Sequence, residues 1–153
     1  MEMIKKRTIQ KYDRHSTVSI EQILPLIKTA NVTARDKIKY EISGVLLKFS
    51  GLRLQTFAEK GTTCSGCGVK ATHFAIERDM GAVLKNGGYH LNLWGIDSDG
   101  DEVLFTHDHI VARALFGRDA LSNTQTMCCH CNWLKGDLEN VEVENLRKAK
   151  VEQ

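Results

Sequence analysis

The first helical pattern in the chain falls on residues 19–29, SIEQILPLIKT. Its apolar residues recur at spacings of three and four, which places them on one side of a helix. Ser19 and Gln22 have the spacing of a capping box, in which side chains satisfy backbone groups at a helix start. The pattern therefore predicts a short helix that is bent or broken near Pro25.

A longer helix is predicted from residue 34 to residue 50. Thr33 is suited to cap it and Gly51 to end it, because hydroxyl side chains favour the N-cap and glycine follows the end of many helices. Its apolar stripe consists of Ile38, Ile42, Val45, Leu46 and Phe49. Together the two helices predict a helical N-terminal region, residues 1–60.

After Gly61 the apolar segments become short and are separated by glycine and polar residues, a pattern that favours β-strands. Strands are predicted at ATHFAIE (residues 71–77), YHLNLWGI (89–96) and DEVLFTH (101–107). Between the last two, DSDGD predicts a hairpin turn with Asp99 and Gly100 at its tip. A calcium loop fits this segment poorly, since Glu102 stands where such loops need glycine.

Two helical patterns follow. A short helix is predicted to begin near Cys131. Residues 141–150, VEVENLRKAK, predict a surface helix whose acidic residues precede its basic ones, the order that suits the helix dipole. Helices followed by strands and further helices indicate the α+β fold class.

The chain has 153 residues and a net charge of +2, as expected of an ordinary globular protein. This charge is too small to indicate a polyanionic partner by itself. Because the sequence shows neither a membrane-length apolar run nor an apolar segment behind its first basic residues, we expect a cytoplasmic protein with no membrane partner. Its five cysteines then favour metal ligation or free thiols over disulfides.

Four of the cysteines form two Cys-x-x-Cys pairs, Cys64 with Cys67 and Cys128 with Cys131. Each pair can present two sulfur atoms on one side of a tight turn, and two pairs supply the four thiolates of a tetrahedral zinc site. Since protein atoms would fill all four positions, this zinc ion is predicted to be structural rather than catalytic.

Two neighbouring residues allow other assignments at the second pair. Cys129 lies only two residues from Cys131, a spacing that does not suit the turn, so Cys129 is interpreted as a packed or free thiol. His130 is an alternative ligand, because an imidazole nitrogen also binds zinc.

Residues 106–137 combine several polar motifs in a fixed order. A strand leads into Asp-His-Ile-Val, a loop with Gly-Arg-Asp and Leu-Ser-Asn follows, and then Cys-x-x-Cys-Asn-x-x-Lys-Gly-Asp. This order resembles the HNH endonuclease family, and the resemblance extends over about residues 61–139. It implies a zinc-stapled ββα-metal domain, a hairpin followed by a helix, over residues 61–153.

The resemblance implies roles for four polar residues. His109 would be the general base that activates water, and Asp108 and Asn132 would be ligands of a catalytic magnesium or manganese ion. Asn123 would hold the loop so that the histidine is correctly aimed. Strict strand alternation puts Asp108 and His109 on opposite faces, so the strand is expected to end or bend there. His107 lies two residues before His109, so both side chains are expected on the same strand face, and His107 is a second candidate for a catalytic role.

Three basic residues are candidates for phosphate contacts, which position a nucleic acid without reading its sequence. Lys135 lies on the same predicted helix as Asn132, and Arg113 and Arg118 lie in the loop before Asn123.

The implied function is metal-dependent, endonucleolytic hydrolysis of DNA phosphodiester bonds with one catalytic ion. Two alternatives stay open: a non-catalytic zinc module that binds nucleic acid or protein, and an HNH nuclease that acts on RNA or branched DNA. The four polar residues together favour an enzyme, because a binding module has no need of them. Compact nucleases of this family are frequent in phages and mobile elements, so the resemblance implies such an origin.

Overall fold

The computed structural model describes residues 11–32, 39–83 and 88–151. Within these residues a five-stranded sheet, a two-stranded hairpin and four α-helices form the fold. The strands are β1 Tyr12–Val18, β2 Lys39–Ile42, β3 Val45–Lys48, β4 Ala71–Asp79, β5 His90–Ile96, β6 Glu102–His109 and β7 Thr124–Cys128. The helices are α1 Ile20–Val32, α2 Leu52–Lys60, α3 Met80–Val83 and α4 Cys129–Val151. Two single-turn 3₁₀ helices, Arg113–Leu115 and Leu121–Asn123, lie in the loop between β6 and β7.

The first predicted helix is confirmed as α1. The Ser19 hydroxyl accepts a hydrogen bond from the Gln22 N–H at 3.2 Å, as expected for a residue that caps the first turn. Pro25 lies inside the helix and does not end it. Ile23 and Ile27 are fully buried, so the apolar side of α1 forms part of the core.

The second predicted helix is wrong, because most of its segment forms the β2–β3 hairpin. Ser43 and Gly44 connect the strands in left-handed conformations, with φ of 52° and 79°, as a two-residue hairpin turn requires. Leu47 is buried whereas Leu46 is exposed, so the side chains alternate with the period of a strand. Short strands can show helical spacings by coincidence, which explains the incorrect prediction. The start of the predicted helix, residues 33–38, lies outside the described residues.

The N-terminal region is therefore mixed rather than helical. Its β1 strand has the polar sequence YDRHSTV and lies at the sheet edge. Ion pairs join it to β4: Arg14 Nε lies 3.0 Å from Glu77 Oε2, and Arg78 Nε lies 2.9 Å from Asp13 Oδ2. These contacts stabilise the strand without an apolar repeat. Among the described residues, the helical region predicted for residues 1–60 is thus corrected to strands β1, β2 and β3 with helices α1 and α2, and residues 1–10 lie outside the described part of the chain.

The three strands predicted after Gly61 are confirmed as β4, β5 and β6. The large sheet has the order β1-β4-β5-β6-β7, and all neighbours are antiparallel. The predicted hairpin turn joins β5 to β6. Within it, Asp97 Oδ1 accepts hydrogen bonds from the N–H groups of Asp99 and Asp101, and Gly100 has a φ of 83°. Such side-chain to backbone bonds are typical of turns.

Helices α2 and α4 cover opposite faces of the β6–β7 pair. The Thr56 hydroxyl on α2 hydrogen-bonds that of Thr124 on β7 at 2.8 Å, whereas Asn132 on α4 donates to Thr106 Oγ1 on β6 at 2.8 Å. Thr124 is paired with His109 in the sheet, so His109 lies on the α2 face. Because side chains alternate along a strand, successive residues of β6 lie in two different environments.

The core lies between the sheet and helices α1 and α2. Its largest fully buried side chains include Phe49, Phe57, Phe74, Phe105, Ile23 and Ile27. The two C-terminal helical patterns form one continuous helix, α4. The fold is thus mixed, with a sheet and a C-terminal helix, and supports the predicted α+β class in part. In the described ranges no helix is both long enough and apolar enough to span a membrane.

Candidate active site and zinc centre

The four predicted zinc ligands lie together. Cys64 and Cys67 are in the loop before β4, Cys128 ends β7, and Cys131 is in the first turn of α4. Their sulfur atoms all lie within 4.8 Å of one another. Four thiolates in one cluster are the donor set of a structural zinc ion, so these residues fit that ion. The predicted site is confirmed as a four-cysteine cluster that could hold zinc.

Backbone N–H groups surround the Cys64 sulfur. Its Sγ accepts hydrogen bonds from the N–H groups of Cys128 at 3.2 Å and Gly66 at 3.3 Å. Burial raises the pKa of the Cys64 thiol, but hydrogen bonds from backbone N–H groups outweigh burial and lower this pKa to about 7. Burial raises the pKa of Cys131 to about 11. Because zinc binds thiolates, occupation of this cluster by zinc releases protons.

Cys129 and His130 lie beside the cluster but outside it. Cys129 is only 2% exposed, and burial raises the pKa of its thiol, so it packs as a small apolar side chain. The Nε2 atom of His130 lies 3.9 Å from a carboxylate oxygen of Asp97. Among the described residues, the sulfur cluster contains no histidine.

Asp108 lies on the face of β6 that α4 covers. Its Oδ2 accepts a hydrogen bond from Gln125 Nε2 at 2.9 Å and lies 3.1 Å from Lys135 Nζ. The residue is 7% exposed. A buried carboxylate is costly unless it is paired, and the Lys135 ammonium supplies the opposite charge. Asp108 is thus an oriented anionic group between the sheet and α4.

Asn132 reaches the same face of β6 from α4. Its Nδ2 donates to Thr106 Oγ1 at 2.8 Å, and the Thr106 hydroxyl donates to the Met127 carbonyl at 2.8 Å. Since a hydroxyl has one proton, Thr106 must accept from Asn132, which orients the amide. Thr106 and Asp108 share a strand face, so the structure brings the Asp108 carboxylate and the Asn132 amide to one crevice. We call it the β6–α4 crevice.

His109 is the last residue of β6 and points to the opposite face from Asp108. Its Nε2 lies 2.7 Å from Asp119 Oδ1. The hydrogen bond with His109 lowers the pKa of Asp119, so Asp119 is a carboxylate when it holds the imidazole. A proton on Nε2 leaves the lone pair of the neutral ring on Nδ1. Sequence reasoning missed this role of Asp119, although the Gly-Arg-Asp motif contains it.

His107 lies beside His109 on the α2 face. The two ring centroids are 5.7 Å apart. Burial lowers the pKa of His107, and the neighbouring His109 lowers it further. His107 is therefore a neutral, half-buried imidazole at pH 7.

Asn123 closes the loop that follows β6. Its Oδ1 accepts a hydrogen bond from the Val111 N–H at 2.9 Å, and its Nδ2 donates to the carbonyls of Val111 at 3.1 Å and Arg118 at 2.8 Å. The Asn123 carbonyl also accepts from the Ile110 N–H at 2.8 Å. One side chain thus fixes both ends of the loop from residue 110 to residue 118, beside the Asp119 that contacts His109.

The three predicted phosphate-binding residues have different surroundings. Lys135 Nζ donates to the His109 carbonyl at 2.8 Å and contacts Asp108 and Glu139, so it belongs to the β6–α4 crevice. Arg113 and Arg118 are exposed on the loop. The structure therefore separates one half-buried, ion-paired cation from two cations at the surface.

Residues 97–138 match the family model described as HNH endonuclease. The matched segment runs from the β5–β6 turn into α4 and includes Asp108, His109, Asn123 and Asn132. Comparisons with curated proteins and with solved structures gave no match. The match indicates a nuclease-type function and a nucleic-acid substrate. Residues 97–138 of this chain are therefore similar to an HNH endonuclease domain, and the neighbouring four-cysteine cluster could hold zinc.

Proposed function

We propose that this protein is a metal-dependent endonuclease that hydrolyses DNA phosphodiester bonds. One observation carries the proposal: β6 ends in Asp108 and His109, and α4 brings Asn132 to the face of Asp108. Because the strand ends at His109, a phosphate at this end can approach a carboxylate on one face and an imidazole on the other. This arrangement combines an ion site with a proton acceptor, as phosphodiester hydrolysis requires.

The β6–α4 crevice suits a hard divalent cation. Asp108 offers a carboxylate oxygen and Asn132 an amide oxygen, the donor types that magnesium and manganese prefer. Lys135 Nζ contacts Asp108 Oδ2 and the His109 carbonyl, so its ammonium group would have to leave Asp108 when a divalent ion binds there. Asp108 and Asn132 would hold the single catalytic ion. When bound, that ion supplies charge stabilisation at the phosphate and the leaving oxygen.

His109 is the proposed general base. Its Nε2 is held by Asp119, so Nδ1 accepts the proton from the attacking water. Asn123 keeps the loop that carries Asp119 in place. Arg113 and Arg118, exposed on this loop, contact flanking phosphates.

Asp119→Asn tests the positioning of His109. The substitution keeps the size of the side chain but removes the charge that orients the imidazole, and misplaced catalytic groups lose about tenfold to a hundredfold in rate. We expect kcat for DNA cleavage to fall by that factor, with KM nearly unchanged. Asp99→Asn, in the β5–β6 turn, is the matched control and should cleave like wild type. A normal kcat for Asp119→Asn would show that Asp119 does not position His109 for catalysis.

Gly117→Ala tests the path of the loop. A Cβ at this position would lie 1.7 Å from the Val111 carbonyl oxygen and 2.6 Å from its carbon, so the backbone must move. We expect at least a tenfold loss of cleavage while the far-ultraviolet circular dichroism spectrum is preserved. Gly136→Ala, in α4, meets no atom within 4 Å and should retain activity. Equal activity of the two variants would show that the loop conformation does not matter.

The substrate class is tested with labelled duplexes of one sequence, made as DNA, as RNA and as a branched DNA junction. Each is incubated with zinc-loaded protein in magnesium or manganese. We expect cleavage of the DNA duplex. Preferential cleavage of RNA or of the junction would reassign the substrate, and binding without cleavage of any substrate would favour a non-catalytic zinc module.

A further inference from the structure

Phe116 has two features that the fold does not need. Its side chain is 97% exposed, more than any other large apolar side chain that the structure describes. Its φ is 68°, in the left-handed region that bulky residues rarely adopt. The exposed ring contributes almost nothing to folding, because it stays in water, and the backbone conformation opposes folding. A residue that persists with both points to a role outside folding.

The backbone around Phe116 is well fixed. The Phe116 N–H donates to the Arg113 carbonyl at 3.1 Å, and the Gly117 N–H donates to the Ala112 carbonyl at 3.0 Å. After Gly117, the carbonyl of Arg118 accepts a hydrogen bond from Asn123 Nδ2 at 2.8 Å. The ring is therefore presented to solvent by an ordered turn rather than by a loose chain end.

The position of Phe116 is close to the proposed catalytic base. It precedes Asp119 by three residues, and Asp119 Oδ1 contacts His109 Nε2 at 2.7 Å. Three residues of chain span at most about 10 Å, which is about three base-pair steps of DNA. Arg113 and Arg118, on either side of Phe116, are also exposed. The same loop therefore carries two cations that can contact phosphates and an aromatic ring that can stack on bases.

We propose that Phe116 inserts into the base stack of the substrate, within a few nucleotides of the scissile phosphate. This inference rests on the proposed nuclease function and adds the way in which the substrate is held. An exposed apolar side chain can act as a wedge that unstacks a base step and bends the duplex. Stacking of a base on an aromatic ring is favourable for every base, so Phe116 contributes affinity and local distortion with little sequence preference.

The strain gives an independent expectation about stability. Glycine adopts a positive φ without penalty, and an exposed ring contributes little packing. Phe116→Gly is therefore expected to melt at the same temperature as wild type or higher, while it binds DNA more weakly. A marked fall in melting temperature would show that Phe116 serves the fold.

The inserted ring is tested with a DNA duplex that carries 2-aminopurine, whose fluorescence rises when the base is unstacked. Zinc-loaded protein is added without divalent catalytic ions, so binding is seen without cleavage, and the probe is moved along the duplex in separate samples. Wild type should raise the fluorescence at one or two adjacent positions. Phe116→Ala should abolish this rise and weaken binding about tenfold or more. Phe116→Trp should preserve both, and Leu138→Ala, an exposed apolar residue on α4, should behave like wild type.

The outcomes separate this inference from the proposed function. If Phe116→Ala unstacks, binds and cleaves DNA like wild type, the insertion is wrong and the nuclease function stands. If Phe116→Ala binds more weakly but wild type gives no fluorescence change at any position, Phe116 contacts DNA without insertion and the proposal fails. If wild-type protein neither binds nor cleaves DNA, the proposed DNA nuclease itself is wrong.

Discussion

Replacing Cys128 with serine is expected to unfold the zinc-binding part of the protein. The four sulfur atoms come from the loop before β4 and from the junction of β7 with α4, so one ion joins two segments that are distant in sequence. A structural zinc ion contributes about 10–16 kcal/mol in small domains. Whole domains are stable by only about 5–15 kcal/mol. Loss of one thiolate ligand can therefore exceed the net stability.

Zinc content and thermal unfolding measure this effect. Cys128→Ser should bind less than one zinc ion per chain and lack a cooperative thermal transition, and chelation of zinc from wild type should produce the same state. Cys129→Ala is the matched control, because Cys129 is buried next to Cys128 but lies outside the sulfur cluster. It should keep its zinc and its transition. A Cys128→Ser protein that folds like wild type without metal would show that zinc is not needed to hold these segments together.

Replacing His109 with alanine is expected to slow DNA cleavage by about 10²–10⁴-fold, the usual contribution of a general base. The substitution removes the ring that Asp119 holds and leaves the β6–α4 crevice unchanged, so DNA binding should be nearly normal. The measurement is the single-turnover rate constant with excess protein. His107→Ala is the control, since His107 shares the strand face and lies 5.7 Å away between ring centroids. A larger defect in His107→Ala than in His109→Ala would make His107 the base.

The two Cys-x-x-Cys pairs and the hairpin around DSDGD are local patterns, and both could be predicted from the sequence. A knuckle requires two cysteines at a fixed spacing, and the turn requires residues such as Gly100 that accept its backbone conformation. The order of motifs after residue 106 likewise identifies the HNH segment. In each case the physical requirement is met within a few neighbouring residues.

The N-terminal strands could not be predicted in the same way. Ile42 and Val45 in the β2–β3 hairpin also fit a helical spacing, whereas the left-handed Ser43 and Gly44 of the structure belong to a hairpin turn. Strand β1 pairs with β4 and is joined to it by ion pairs, and no local hydrophobic pattern reveals these partners.

The partners of the site residues depend on tertiary structure. Asp119 reaches His109 only because the loop returns towards the end of β6, and Gln125 meets Asp108 only through the pairing of β6 with β7. The contact between Lys135 and Asp108 depends on the packing of α4 against the sheet. Sequence spacing alone indicates none of these distances.

The most direct test of the account is the nicking of supercoiled plasmid DNA by zinc-loaded wild type and by Asp108→Asn. Both proteins are assayed in magnesium, in manganese and after a chelator that leaves the structural zinc bound, with zinc content checked in each sample. Wild type is expected to nick the plasmid only with a divalent ion, and Asp108→Asn is expected to keep its zinc but to nick at least about a hundredfold more slowly. Equal nicking by the two proteins, or nicking by wild type that persists in the chelator, would contradict the account.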